Sequence, residues 1–337
     1  MEKSAIYETE FLDGLAPFVL KELVELGGIS IKKMKNSFRF RFKKNSKELS
    51  RLRTVVSVYR FLQYDISRPR ALLGDHNLRR LVEAITEVSS SGDFNSFRFS
   101  AAGKTSEVFQ RLGRTLKGLT RLRFDPDGGD LLIRIRRKTS NNGWEVLLRL
   151  SSRPLSARSW RVCNLPGGLN ATVAVAVNTM LGISPNDRYL NAMSGSGTIL
   201  IERALAGPSG SLLGCDCDTR ALDCTRQNLK AAGLEGIEVL KADATSMPVP
   251  EGSFDVVSVD LPWGDAVGSF KSLNDLYPAF LTEMHRIISP GGRIVLISHD
   301  LKRFDAFLRT QTGWREKRQF QVFHGGHHPK VYLLERD

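Results

Sequence analysis

From about residue 160 onward the chain alternates short apolar runs with helical patterns, and this constrains its fold more than any other feature. The runs are LLGCD at 212–216, IEVLKAD at 237–243, FDVVSVD at 254–260 and RIVLIS at 293–298. The middle ones are continuous apolar runs, as expected for a parallel sheet covered on both faces by helices. A helix, LNATVAVAVNTML, and a strand, DRYLNAM, come before them. Two further strands, RQFQVF and KVYLLE, follow and are joined through a Gly-Gly loop. The pattern predicts an α/β, doubly wound domain with an antiparallel end. Three of its strands end in an acid (Asp216, Asp243 and Asp260), at the edge where open sheets of this class bind ligands.

The first half reads differently. Residues 5–12 alternate like a strand. Leu15, Phe18, Val19, Leu23 and Leu26 then keep helical spacing up to Gly27-Gly28. ISIKKM and FRFRF read as strands. Asn45 or Ser46 is expected to cap a helix running through Leu49, Leu52, Val56, Tyr59 and Leu62. A helix near 76–90, the strand FNSFRFSAA, a basic helix at 105–119 and the strands LLIRIRRK and WEVLLRLS around an Asn-Asn-Gly turn complete it.

Charge separates the halves. The chain of 337 residues carries 49 Lys+Arg against 36 Asp+Glu, a net charge of +13. Residues 1–160 hold 31 basic and 17 acidic side chains, whereas residues 161–337 hold 18 and 19. The excess therefore lies in the first half. That suits a grip on a polyanion, and a solvated basic surface without a partner is the plainer alternative. The cysteines Cys163, Cys215, Cys217 and Cys224 are too few and too clustered for a disulfide framework and do not form CxxC metal clips. The start lacks a signal pattern, and no apolar stretch approaches the roughly 20 residues that span a bilayer. A cytoplasmic protein in a reducing compartment, without membrane contact, is the expectation.

The sharpest local feature is YLNAMSGSGT at 189–198, a strand running through a glycine loop into a helix. Glycines let backbone N–H groups approach a ligand, and a helix N-terminus favours an anionic group. Asp216 ends the next strand, where a carboxylate can accept two ribose hydroxyls. Asp243 ends the one after and could accept from an adenine amino group. A dinucleotide fingerprint would need a third glycine at 200, where Leu200 stands, and a kinase-type phosphate loop is absent. Adenosine without a pyrophosphate fits best; the plainer reading makes both acids helix caps. FDVVSVDLPWG at 254–264 then ends a buried strand in Asp260 and a proline-stiffened turn bearing Trp263. A planar base could stack on that ring while its exocyclic amine donates to Asp260.

The set NAMSGSGT, LLGCDCD, KADAT and VSVDLPWG resembles the S-adenosylmethionine-dependent amino-methyltransferases with a (D/N)-P-P-(Y/F/W) motif, and the likeness covers 160–337. The first half is similar to the companion of tRNA guanine-N2 methyltransferases. Its opening FLDGLAPFVLKELVELGG, FRFSAAGKT with RLGR, and LLIRIRRK with WEVLLRLS carry that likeness. The resemblance implies a ferredoxin-like domain at 1–64, a THUMP RNA-binding domain at 65–155, and a Rossmann-like methyltransferase domain with a seven-stranded mixed sheet at 156–337. It implies S-adenosyl-L-methionine as methyl donor, with Asn191, Gly195, Ser196, Gly197 and Thr198 at its methionine end. Pro166, Gly167, Leu169 and Asn170 would close over that end. Asp216 would bind the ribose, with Cys217 beside the adenine and Asp243 and Ala244 reading its edge. Asp260, Pro262 and Trp263 would hold the target base. Two positions depart from the pattern: Asn191 stands where many relatives have an acid, and Leu261 replaces the first proline.

The implied activity is transfer of a methyl group to N2 of a guanosine in the tRNA acceptor-stem region, by a monomer whose basic half grips the tRNA end. The sulfonium is already an activated donor, so alignment and electrostatics suffice. No cysteine lies near 260–264 for a thiolate route, and no metal is required. His324, His327 and His328 read as a polar hairpin turn rather than a metal loop. The alternatives are ribosomal RNA as substrate, adenine-N6 methylation of nucleic acid, or a non-catalytic RNA-binding protein with a degenerate pocket.

Overall fold

The structure, a computed structural model, describes residues 5–138, 143–262 and 273–337. The chain divides into two compact units. Met1–Phe11 group with Val19–Ala157, and Leu12–Phe18 group with Arg158–Asp337.

The first unit contains β1 (Ala5–Glu10), most of α1 (Ala16–Leu26), β2 (Ile29–Lys33), β3 (Phe38–Phe42), β4 (Ser57–Tyr64), α2 (Asp75–Ser91), β5 (Ser96–Ser100), α3 (Glu107–Leu119), β6 (Arg123–Phe124), β7 (Leu131–Arg137) and β8 (Trp144–Arg149). Among the described residues they form one eight-stranded sheet in the order β2-β3-β1-β4-β8-β7-β5-β6. The boundary expected after residue 64 lies at the end of β4, which pairs along its length with β8. The helix predicted through Leu62 is corrected. Only a 3-10 turn, Ser46–Arg51, follows Asn45, whose side chain accepts the Lys47 N–H; residues 52–56 form a connection, and Tyr59 and Leu62 lie in β4. Six of its eight residues are buried, on both faces, so apolar side chains recur at helical spacing although the backbone is extended.

Part of this unit's positive charge is internally paired. Buried Glu8 accepts from Arg39 and Arg136 at 2.7 Å each, and buried Glu145 accepts from the same two arginines at 3.1 and 2.8 Å. Each carboxylate taken from water thereby gains charge-assisted partners.

The second unit contains α4 (Ala171–Leu181), β9 (Arg188–Ala192), α5 (Thr198–Ala206), β10 (Ser211–Asp216), α6 (Thr219–Ala231), β11 (Glu238–Lys241), β12 (Phe254–Asp260), α7 (Leu273–Ile287), β13 (Ile288–Ser298), α8 (Leu301–Leu308), β14 (Trp314–Gln321) and β15 (Lys330–Arg336). Its seven-stranded sheet runs β11-β10-β9-β12-β13-β15-β14. β9 to β13 are mutually parallel, while β15 pairs antiparallel with β13 and β14. Leu190, Val257, Val259, Ile294 and Leu296 of the central strands are buried, with Phe280 and Met284 of α7 in the same core. At the amino end of β12, Arg188 donates to both oxygens of Asp255, at 3.1 and 2.7 Å. Those hydrogen bonds hold the Asp255 carboxyl down at about 2.

Cysteine usage needs a correction. Cys163 and Cys224, 61 residues apart, form a disulfide with a Cα–Cα distance of 5.4 Å. Their spacing in sequence concealed a closeness that only the packing of α6 creates. Among the described residues no helix is long and apolar enough to cross a membrane.

Candidate active site

Strand register brings two of the three acids, Asp216 and Asp260, to strand ends at one edge of the second unit's sheet, whereas β11 stops at Lys241 and Asp243, expected to end it, lies two residues beyond. Asn191 of β9 lies between Gly214 of β10 and Ser258 of β12. Asp216 ends β10 opposite Lys241, and Asp260 ends β12 opposite Ile297. The loops leaving this edge are tied to neighbouring strands: Ser194 N–H donates to the Cys215 carbonyl (2.8 Å), and Leu261 N–H donates to that of Ile297 (3.1 Å). A proline at 261 could not make the second bond, so buried Leu261 anchors the turn where the resembling family has its first proline.

The glycine loop is held from below and from the side. Met193 has φ +50, the left-handed region that non-glycine residues rarely occupy, at the bend between strand and loop. Gly197 caps α5 with φ +78, and a Cβ there would sit 2.8 Å from Thr225 Cγ2. Gly195 donates its N–H to Asp216 Oδ2 (2.9 Å), while Asp218 N–H donates to Oδ1 of the same carboxylate (3.0 Å). An ionised carboxylate has about four acceptor positions, so Asp216 keeps capacity for a further donor. From α6, Thr225 Oγ1 donates to the Gly195 carbonyl (2.8 Å) and Asn228 Nδ2 donates to the Ser196 carbonyl (2.9 Å). Ser196 Oγ and Thr198 Oγ1 lie 3.3 Å apart.

Residues 161–170 run beside this loop as a strap. Arg161 donates to Thr198 Oγ1 and to the Leu169 carbonyl, both at 2.7 Å. A Cβ on Gly168 would stand 3.8 Å from Ser196 Oγ, while Pro166 and Gly167 are exposed and Leu169 is buried. Asn170 uses its side-chain oxygen to cap α4, accepting from Thr172 N–H and Oγ1 at 2.9 and 2.8 Å.

The remaining expected residues are distributed as follows. Asp243 Oδ1 accepts from Thr245 N–H and Oγ1, at 2.8 and 2.7 Å, which is the turn-forming use of a carboxylate, and Ala244 beside it is buried. Cys217 is exposed, and desolvation first, then Asp216, raises its thiol above the ordinary value, so it is protonated near neutrality. Asp260 and Pro262 are half-buried. Trp263 lies outside the described residues. Asn191 is buried, and its Nδ2 donates to the Ser258 carbonyl (3.2 Å). Asn191 Oδ1 and Ser194 Oγ are buried with no hydrogen-bond partner among the described residues.

Sequence reasoning missed four residues here. Arg161, Thr225 and Asn228 shape the loop and the strap. The signal was available in α6, where polar Thr225 and Asn228 fall on the same stripe as buried Leu222 and Leu229. The fourth is His299, directly after β13, whose ring centroid is 6.2 Å from that of His327. Burial, with His324 and His327 adding to it, pushes the His299 ring down to about 3. His324 and His327 exchange backbone hydrogen bonds at 2.9 Å across Gly325-Gly326, so the histidine-rich segment is a tight hairpin between β14 and β15.

An edge carrying a glycine loop, a strand-end carboxylate poised beside it, and two buried oxygens without partners among the described residues can bind a ligand with both hydroxyl and ammonium donors. Comparison with known proteins finds methyltransferases. Over 236 residues the chain is 33% identical to a U6 snRNA (guanine-N(2))-methyltransferase, THUMPD2, of Mus musculus, covering 68% of this chain and 43% of that protein. It is 31% identical over 205 residues to a tRNA (guanine(6)-N2)-methyltransferase of Thermus thermophilus, covering 60% of each. The match thus spans only about half the length of these curated relatives. In structure it is similar to TrmN from Thermus thermophilus, with a TM-score of 0.77 and 26% identity over 98% of this chain and 99% of that one. The pattern of the RMKL-like methyltransferase domain matches residues 158–330, the strap, the glycine loop and the Asp260 turn included. Because that match spans more than half of its residues, the chain belongs to the RMKL-like methyltransferase family.

Proposed function

We propose that the protein transfers a methyl group from S-adenosyl-L-methionine to the exocyclic N2 of a guanosine in the acceptor-stem region of tRNA. The observation that carries this is the shared edge, where the Gly195–Gly197 loop, Asp216 and Asp260 end adjacent parallel strands. The residues fit the donor. Asn191 Oδ1 and Ser194 Oγ are buried acceptors suited to its ammonium group, and Asp216 retains acceptor capacity for the ribose. When bound, its sulfonium supplies an activated methyl group. Asp243 and Ala244 read the adenine edge, with Cys217 beside it as a neutral thiol. Pro166, Gly167, Leu169 and Asn170 form the cover, and Thr198 with Ser196 borders the methionine end. Asp260 accepts from the guanine amine, orients its nitrogen and stabilises the positive charge that develops on it; the proton departs afterwards. Pro262 stiffens the turn and Trp263 stacks on the base.

Guanine N2 is shared by the names of relatives that differ in their RNA, which are tRNA guanine 6, tRNA guanine 10 and U6 snRNA. The acceptor-stem reading takes its support from the relatives named for tRNA guanine 6. In this proposal residues 1–64 form a ferredoxin-like domain and 65–155 a THUMP domain that grips the tRNA end, before the methyltransferase domain at 156–337. The protein acts as a cytoplasmic monomer.

The test is methyl transfer from labelled S-adenosylmethionine to bulk tRNA. Asp260→Asn, nearly isosteric, is expected to lower kcat/KM by about a hundredfold or more, as loss of a transition-state contact does. Incorporation equal to that of the native chain would remove Asp260 from this role.

A further inference from the structure

We infer that Asn228, on α6, is a positioning residue that sets the separation between the strap and the glycine loop, and thereby the affinity for the methionine end of the cofactor. This rests on the cofactor reading above. Asn228 is completely buried, and its carboxamide uses both ends. Its oxygen accepts the N–H groups of Val162 and Cys163, at 2.9 Å each. Its nitrogen donates to the Cys163 carbonyl at 3.0 Å and to the Ser196 carbonyl at 2.9 Å. One side chain therefore joins two backbone segments that no secondary structure connects.

The same face of α6 supplies the supporting ties. Thr225, three residues earlier, holds the Gly195 carbonyl, and Cys224, four residues earlier, is bonded to Cys163. Helical neighbours at these spacings share a face, so Cys224, Thr225 and Asn228 act as one clamp. Aspartate at 228 would keep an acceptor for the strap but offer no donor to Ser196. Alanine would leave four backbone groups to find other partners in a buried place. An amide is the side chain that satisfies both segments at once.

The experiment combines cofactor titration with hydrogen exchange on the full chain. For Asn228→Ala, the Kd for S-adenosylmethionine by calorimetry and its KM are expected to rise about tenfold, about 1.4 kcal/mol. kcat at saturating cofactor should fall by less than about threefold, the split expected for lost uniform binding. Without cofactor, the amides of 161–170 should exchange faster, while those of β12 and β13 keep their protection. Asn228→Asp should preserve slow exchange at Val162 and Cys163 yet still weaken the cofactor. Unchanged strap exchange in Asn228→Ala, or unchanged Kd with faster exchange, would overturn the inference. Failure of the native chain to bind the cofactor would overturn the cofactor reading and the affinity claim with it, while exchange would still decide the positioning.

Discussion

At the scale of single residues, Gly197 has two reasons to be glycine. Its φ of +78 disfavours any side chain, and a Cβ would press on Thr225 at 2.8 Å. Gly197→Ala is expected to destabilise the second unit by about 1–3 kcal/mol, seen as a lower denaturant midpoint. An unchanged midpoint would show that the loop relaxes freely. His299 gives a second test. With its ring held down at about 3, it is neutral throughout the range in which an ordinary histidine titrates. Its Cε1 proton shift in NMR should be flat from about pH 5 to pH 8, and a midpoint near the ordinary value of about 6.5 would refute burial as its controlling influence. Asp216 and Asp260 were legible in the sequence because each ends a strand, and Gly197 because it opens a helix, whereas Asp243 lies two residues past the end of β11. Asn228, Arg161 and His299 were not, because their importance depends on segments far away in the chain. Asn191 is a departure from an acidic pattern that the structure gives a use, as a tie to the Ser258 carbonyl.

Among elements, the parallel strands were the most legible. Apolar runs such as FDVVSVD and RIVLIS admit few alternatives as strands, whereas the order β10-β9-β12-β13 is set by their pairing and was not read from the sequence. β4 shows the opposite case, since SVYRFLQY is apolar on both faces and satisfies two periodicities. The Cys163–Cys224 disulfide could not be read from spacing, because α6 makes the pairing. Arg188 and Asp255 join β9 to β12 at their amino ends, and this pair carries a pH signature. A carboxylate held below its ordinary value stabilises the fold above about pH 4, and that contribution is lost as pH falls toward about 2. Exposure limits it to about 1 kcal/mol or less. Arg188→Met should therefore lower stability to denaturant at neutral pH slightly and bring the mutant level with the native chain near about pH 2. A deficit that persisted unchanged into acid would assign the effect to packing.

At the scale of the whole chain, the uneven charge is the feature that composition alone made visible. Pairing of Glu8 and Glu145 with Arg39 and Arg136 shows that some of the first unit's cations are internal ties. The rest leave a positive excess suited to RNA. Binding of tRNA should weaken on the order of a hundredfold or more between about 50 and 200 mM salt, through counterion release. At the proposed site cofactor binding would rest on hydrogen bonds at Asp216 and the glycine loop, so it should change far less over that range. Equal salt slopes for the two ligands would contradict this division of labour. The central claim concerns the atom that receives the methyl group, and nucleoside analysis tests it most directly. Unmodified tRNA incubated with the protein and S-adenosylmethionine, digested and separated by mass spectrometry, should yield N2-methylguanosine mapping to the acceptor stem. Methylation appearing on adenine N6, or no methylated nucleoside from a folded and cofactor-bound protein, would contradict it.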